Sequence, residues 1–149
     1  MSETSDLISD EYRKLNAELH AVAPVYGVGA HVHAGVVARM AAKIGARSVL
    51  DYGSGKGMLA KALPFPINEY DPAISGKDHA PRAADLCVCF DVLEHVEPEK
   101  LDLVLADLRR CTRRVGYFSI ATQPAKKLLS DGRNAHLIQQ GADWWRARL

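Results

Sequence analysis

Asp51-Tyr52-Gly53-Ser54-Gly55-Lys56-Gly57 combines two things that a nucleotide site needs: an acid at the end of an apolar strand, and glycines at alternate positions after it. Without a Cβ the backbone turns sharply and presses against a ligand, and the N–H groups opening the next helix then face the bound molecule. The spacing separates two kinds of site. A dinucleotide fingerprint, G-x-G-x-x-G, started from Gly53 and Gly55 requires a third glycine where the chain has Met58; the pattern present is D-x-G-x-G-x-G.

Two further acids fall where such a turn would use them. Asp71 ends a second expected strand, Ile67 to Asp71, about twenty residues beyond Asp51, where an acid commonly meets ribose hydroxyls. A carboxylate accepts from two adjacent hydroxyls at once; the competing role for Asp71 is to cap the turn that Pro72 continues. Asp85 to Phe90 is a nearly continuous apolar run, as in a parallel strand covered on both faces, and it leads into Asp91-Val92-Leu93-Glu94-His95-Val96. His95 and His136 are the imidazoles suited to take a proton from a hydroxyl or amine near neutral pH, against a structural, hydrogen-bonded role for each. Beside His136, Arg133 and Asn134 either orient a substrate or fix their own loop.

These strings resemble the class I S-adenosylmethionine-dependent methyltransferases. The D-x-G-x-G-x-G turn is similar to motif I of that family, and Asp85 to Val96 to its motif IV. Tyr12 to Asn16 (YRKLN), Ile120 to Lys127 (IATQPAKK), Asp131 to Ile138 (DGRNAHLI) and the Trp144-Trp145 pair look like one group of bacterial and phage-associated methyltransferase-domain proteins, so the resemblance covers almost the whole chain. It implies a Rossmann-like three-layer α/β sandwich with a mostly parallel sheet, S-adenosylmethionine as cofactor, and methyl transfer to a small-molecule or carbohydrate-like acceptor. It further implies that Asp51, Tyr52, Gly53, Ser54, Gly55 and Gly57 hold the methionine end and that Asp71 and Pro72 meet the ribose. Asp91, Val92 and Leu93 then lie between cofactor and acceptor, with Asp78 toward the adenine amine.

The elements that must position these groups follow from periodicity. Leu7, Ile8, Tyr12, Leu15 and Leu19 predict an amphipathic helix from Ser9 to His20, capped by Ser9 or Asp10. Ala23 to Gly29 reads as a loop whose Tyr26 closes over the cofactor; Val32, Val36, Met40 and Ile44 then restart a helical stripe ending at Gly45. Arg47 to Asp51 is the first strand, and a helix from Lys56 to Leu63 is stopped by Pro64 and Pro66. A helix from Pro98 or Glu99 to about Arg113 turns Leu101, Val104, Leu105 and Leu108 inward. Its terminal Arg109, Arg110, Arg113 and Arg114 complement the helix dipole, a simpler role than phosphate binding. Val115 to Ala121 is the next strand, and a last helical segment buries one ring of Trp144 and Trp145. The expected organisation is one domain, a helical segment over about 7–45 and an α/β core over about 46–149.

The 149 residues, 48% hydrophobic and 25% charged, suffice for one core, and the net charge of +1 gives no electrostatic footprint for nucleic acid. No run is apolar enough to span a bilayer and the start is polar and acidic, so the reading is cytoplasmic. No metal site is expected: His31 and His33 point apart on a helix, and Cys87 and Cys89 lack a second cysteine pair. Two departures from the family sheet stand out. Pro72 to Ala84 is too short for the usual helix, third strand and helix, and the strand pair that normally follows the Val115 to Ala121 strand is absent. That strand is then an apolar edge, which implies a truncated form of a longer protein or a homo-oligomer covering it. The alternatives to an enzyme of this family are a cofactor-binding module without turnover and, opposed by Met58, a nicotinamide-dependent oxidoreductase.

Overall fold

The computed structural model describes residues 6–23 and 29–149; Tyr26 lies outside the described residues. Among these, β1 (Val49–Tyr52), β2 (Asn68–Tyr70), β3 (Ala84–Phe90) and β4 (Thr112–Ser119) form an all-parallel four-stranded sheet in the order β2-β1-β3-β4. Parallel strands need crossovers that cover the faces of the sheet, and β1 and β3 are accordingly buried along nearly their whole length. Alternation sends Leu50, Tyr52, Cys87 and Cys89 to one face, against Leu101, Val104, Leu105, Leu108 and Cys111 of α4 (Leu101–Cys111) and Trp145 of α5 (Ala142–Arg146). Val49, Leu86, Val88 and Phe90 take the other face, against Val37 and Ala41 of α2 (Ala34–Ile44) and Leu59 of α3 (Met58–Ala62). The result is an α/β fold compatible with a Rossmann-like architecture. No helix of the described residues is long and apolar enough to cross a membrane.

Residues 72–83 contain only turns and bends, as their number requires, and β4 lies at the sheet edge with Arg113 and Arg114 exposed on it. Charge on an edge strand discourages pairing with another chain. Several boundaries differ from the periodicity. The second stripe is rotated, because residues Gly29–His33 form a 3-10 turn: Val32 is exposed, and Val37 and Ala41 carry the centre of the buried face. Helix α4 stops at Cys111, short of Arg113. Thr112 is already extended and paired with Ala84, and its hydroxyl donates to Leu108 O at 2.7 Å, the carbonyl that another helical turn would have used. Arg110 bonds Asp107 and Pro81 O, and Arg109 bonds Arg148 O, so these side chains fasten the end of α4 to its surroundings.

The first helix, α1 (Asp10–Val22), begins at Ser9, whose hydroxyl accepts the Tyr12 N–H at 3.1 Å. Its apolar side, Ile8 and Tyr12 with Leu15 and Leu19, packs on Leu129 and Ala135 of the chain that follows β4.

Glycine is required in the bend after β1 by what lies beside it. Gly53 has φ +83, and a Cβ there would stand 2.3 Å from Val92 Cγ2; at Gly57, φ +75, it would stand 2.7 Å from Glu69 Oε1. Gly53→Ala therefore combines a left-handed strain of about 1–2 kcal/mol with overpacking of about 1–3 kcal/mol. In urea melts we expect a loss above about 2 kcal/mol, and a double-mutant cycle with Val92→Ala should recover about 1 kcal/mol or more as coupling. A Gly53→Ala protein as stable as its parent contradicts this packing.

Candidate functional site

The connections leaving β1, β2 and β3 at their carboxyl ends surround a cavity of about 520 Å3. The bend after β1 is tied to the end of β2 by its own amides. Gly53 and Ser54 N–H both donate to Tyr70 O (2.7 and 2.9 Å), Gly55 N–H donates to Asp71 Oδ2 (2.9 Å), and Gly57 N–H donates to Ser54 O (2.9 Å). These four amides, which precede the helix opening at Met58, are engaged in holding the bend.

Of the residues singled out by sequence, Tyr52, Gly53, Ser54, Gly55, Asp71, Pro72, Asp91, Val92, His95 and His136 line the cavity. Asp51, Gly57 and Leu93 are not in its wall. Leu93 is fully buried in the core shared with α4, and Gly57 abuts the Lys77–Glu69 ion pair. Asp71 takes the capping role weighed for it. It lines the cavity, and its Oδ1 accepts the Ala73 N–H at 2.9 Å, capping the turn. Asp78 instead accepts the Gly76 N–H within its own turn. His33 stacks on Phe90 at 4.1 Å, and the thiols of Cys87, Cys89 and Cys111 are all buried.

Asp51 is 1% exposed, and its Oδ2 has no hydrogen-bond partner among the described residues. Burial, then the Glu69 carboxylate, push its pKa up to about 7, with Lys77 opposing. Ser54 Oγ is likewise buried and unpartnered. Asp91 follows β3 with φ +53, a left-handed backbone at the cavity wall, and accepts the Ser119 hydroxyl at 3.0 Å. Asp is among the residues that adopt that conformation most readily after glycine.

The two histidines meet here from distant parts of the sequence, their rings edge-to-face with centroids 4.8 Å apart. Nδ1 of His95 is 2.7 Å from Ala135 O, and Nδ1 of His136 is 2.6 Å from Gln123 O. A carbonyl only accepts, so both Nδ1 atoms carry protons and, in the neutral rings, Nε2 carries the lone pair. Burial lowers the His95 pKa to about 4, which keeps it neutral and makes it a weak base. Glu94 is fully buried, and burial raises its pKa.

Sequence reasoning missed the cover. Over the cavity, α1 is tied down at three points: Ser9 N–H and its hydroxyl donate to buried Glu97, the Tyr12 hydroxyl to His95 O, and Arg13 Nη1 to Pro72 O at 2.6 Å. Burial pushes the Tyr12 phenol up to about 12, so it remains a donor. The one local signal was the Ser9 cap; the Glu97 partner is 88 residues away.

The Asp51 environment sets a pH dependence. Its folded pKa lies above the unfolded value, so its contribution is fully present below about 4 and is lost as pH rises through about 7. Asp51→Asn removes that loss. Between pH 4 and pH 8 the stability difference should move by about 2–4 kcal/mol in favour of the variant, read from denaturant melts at each pH; parallel profiles would refute the burial argument. Compared with protein-family models and with curated proteins, the chain matches none.

Proposed function

We propose that the chain binds S-adenosylmethionine in the cavity over the ends of β1, β2 and β3 and transfers its methyl group to a small-molecule or carbohydrate-like acceptor. The observation that carries this reading is the balance of donors and acceptors at the bend. The amides of Gly53, Ser54, Gly55 and Gly57 are engaged within the protein, while Asp71 and Asp91 line the cavity and Asp51 Oδ2 and Ser54 Oγ are buried without hydrogen-bond partners among the described residues. A pyrophosphate needs free N–H donors at such a turn, whereas an acid-rich wall suits a nucleoside bearing sulfonium and ammonium charges. The volume falls within the range of small-molecule sites, and Leu7, Ile8 and Val96 add an apolar lining.

The cofactor, when bound, supplies an electrophilic methyl group on sulfur. The chain's part is alignment and exclusion of water. Each Asp71 oxygen retains a second lone pair for the ribose hydroxyls, beside the amide it already accepts. Ser54, in the cavity wall, would hold the amino-acid end, with Val92 and Asp91 bordering the acceptor space. Ile8 and Tyr12, held down through Glu97 and the His95 carbonyl, shield the cavity from solvent. His136 presents an Nε2 lone pair suited to the acceptor's proton, with the ring of His95, a weak base, packed edge-to-face against it. Lys126 and Lys127, on the loop that carries His136, line the same cavity and suit an acceptor rich in hydroxyl or anionic groups.

Titration calorimetry with S-adenosylmethionine, S-adenosylhomocysteine and NAD tests this directly. Both sulfur nucleosides should bind and NAD should not. Asp71→Ala should weaken S-adenosylhomocysteine binding by about 1–3 kcal/mol, with a parallel melt showing that the variant is folded. Binding of NAD alone would reject the proposal.

A further inference from the structure

We propose that Glu94, His95 and His136 form a site for one divalent first-row transition ion of the zinc class, opening onto the cavity. This goes beyond the metal-free expectation drawn from sequence; ion binding itself does not depend on the cofactor reading, while its role toward an acceptor rests on it. One ligand atom from each of the three side chains lies within 4.8 Å of the others. Ligand atoms around a tetrahedral zinc stand about 3.4 Å apart, so closing on an ion takes side-chain shifts on the order of an ångström.

The three groups are prepared for ligation in complementary ways. Both imidazoles are fixed by Nδ1–H bonds to backbone carbonyls, Ala135 O at 2.7 Å and Gln123 O at 2.6 Å, so that ligation with these bonds kept would use Nε2. Metal-bound histidines are oriented by this kind of outer hydrogen bond. Glu94 is 0% exposed; its Oε1 accepts the Ala121 N–H at 3.0 Å, and its Oε2 is buried without a hydrogen-bond partner among the described residues. A carboxylate oxygen left unpaired in the interior is costly, and a cation held between it and two imidazoles removes that cost.

All three orienting groups belong to the segment after β4, which is itself braced. Asn134 bonds Ala125 through both its amide atoms and accepts the His136 N–H, and Ile138 N–H donates to Glu94 O. One piece of chain therefore sets the aim of every ligand. Two nitrogens and one carboxylate favour a zinc-class ion over magnesium or calcium, which prefer all-oxygen sets. Three protein ligands also leave a coordination position for an exogenous oxygen, and His95 and His136 line the cavity from which it would come. An ion here turns the two imidazoles from proton acceptors into ligands and polarises an acceptor hydroxyl or carboxylate in their place.

The test uses the whole chain stripped with a chelator, titrated with Zn2+ by calorimetry and with Co2+ by visible absorption. We expect one equivalent of each ion, with cobalt d–d bands and no thiolate charge-transfer band, because the three cysteines are buried elsewhere. His136→Ala, on a half-buried loop position, should weaken binding by at least about 10-fold, the loss typical even of an orienting partner. Glu94→Gln should do the same, and His136→Ala decides the matter should Glu94→Gln fail to fold. No binding beyond that of the His136→Ala protein, or a thiolate band, overturns the site. Calorimetry of S-adenosylhomocysteine on the stripped protein reads the cofactor proposal separately.

Discussion

Two acceptors at the end of β2, Tyr70 O and Asp71 Oδ2, hold the bend that follows β1 by taking three consecutive amides from it. Everything else about the cavity depends on that tie. It lets the Gly53 backbone pass against the Val92 side chain, which is why a Cβ at Gly53 has no space, and it brings the connections after β1, β2 and β3 around one volume. The parallel sheet supplies the alignment. With Asp51 opposite both Glu69 and Val88, all three strands end at a common level, where their connections diverge.

The same arrangement explains the electrostatics. Because the amides of Gly53, Ser54, Gly55 and Gly57 are satisfied internally, they offer little to an anion, and the buried acid at Asp51 has burial and Glu69 acting against its charge, with Lys77 opposing. A ligand bearing positive charge would relieve this; a phosphate would add to it. Across the cavity the chemistry changes to the imidazole of His95 beyond β3 and to His136, Lys126 and Lys127 of the segment after β4, and α1 bridges the two sides through Pro72 O, His95 O and Glu97.

What the sequence made legible was the part governed by local pattern. The acid and glycines of the bend, the apolar run of β3 and the acid beyond β2 are contiguous strings: the run forms β3, and the acids and glycines stand at or just past the ends of β1 and β2. What it concealed depends on contacts between distant residues. Asp85 to Val96 shows Glu94 and His95 as neighbours, but nothing local reveals that Ala121, Gln123 and Ala135 will aim them and His136 at one point. The cover failed for the same reason, since Glu97 meets Ser9 only after the sheet has formed. The use of the amides was hidden too, because a glycine-rich turn reads identically whether its N–H groups face a ligand or the next strand. Phase errors were local: a 3-10 turn before α2 rotated the stripe, and the Thr112 hydroxyl ended α4 early.

The most direct measurement is a crystal structure of the chain with S-adenosylhomocysteine. The ribose hydroxyls should lie on Asp71, the amino-acid end toward Ser54, and the sulfur on the side of His95 and His136. A nucleoside bound outside the cavity, or a cavity closed by the protein's own side chains at saturating ligand, would contradict the cofactor proposal.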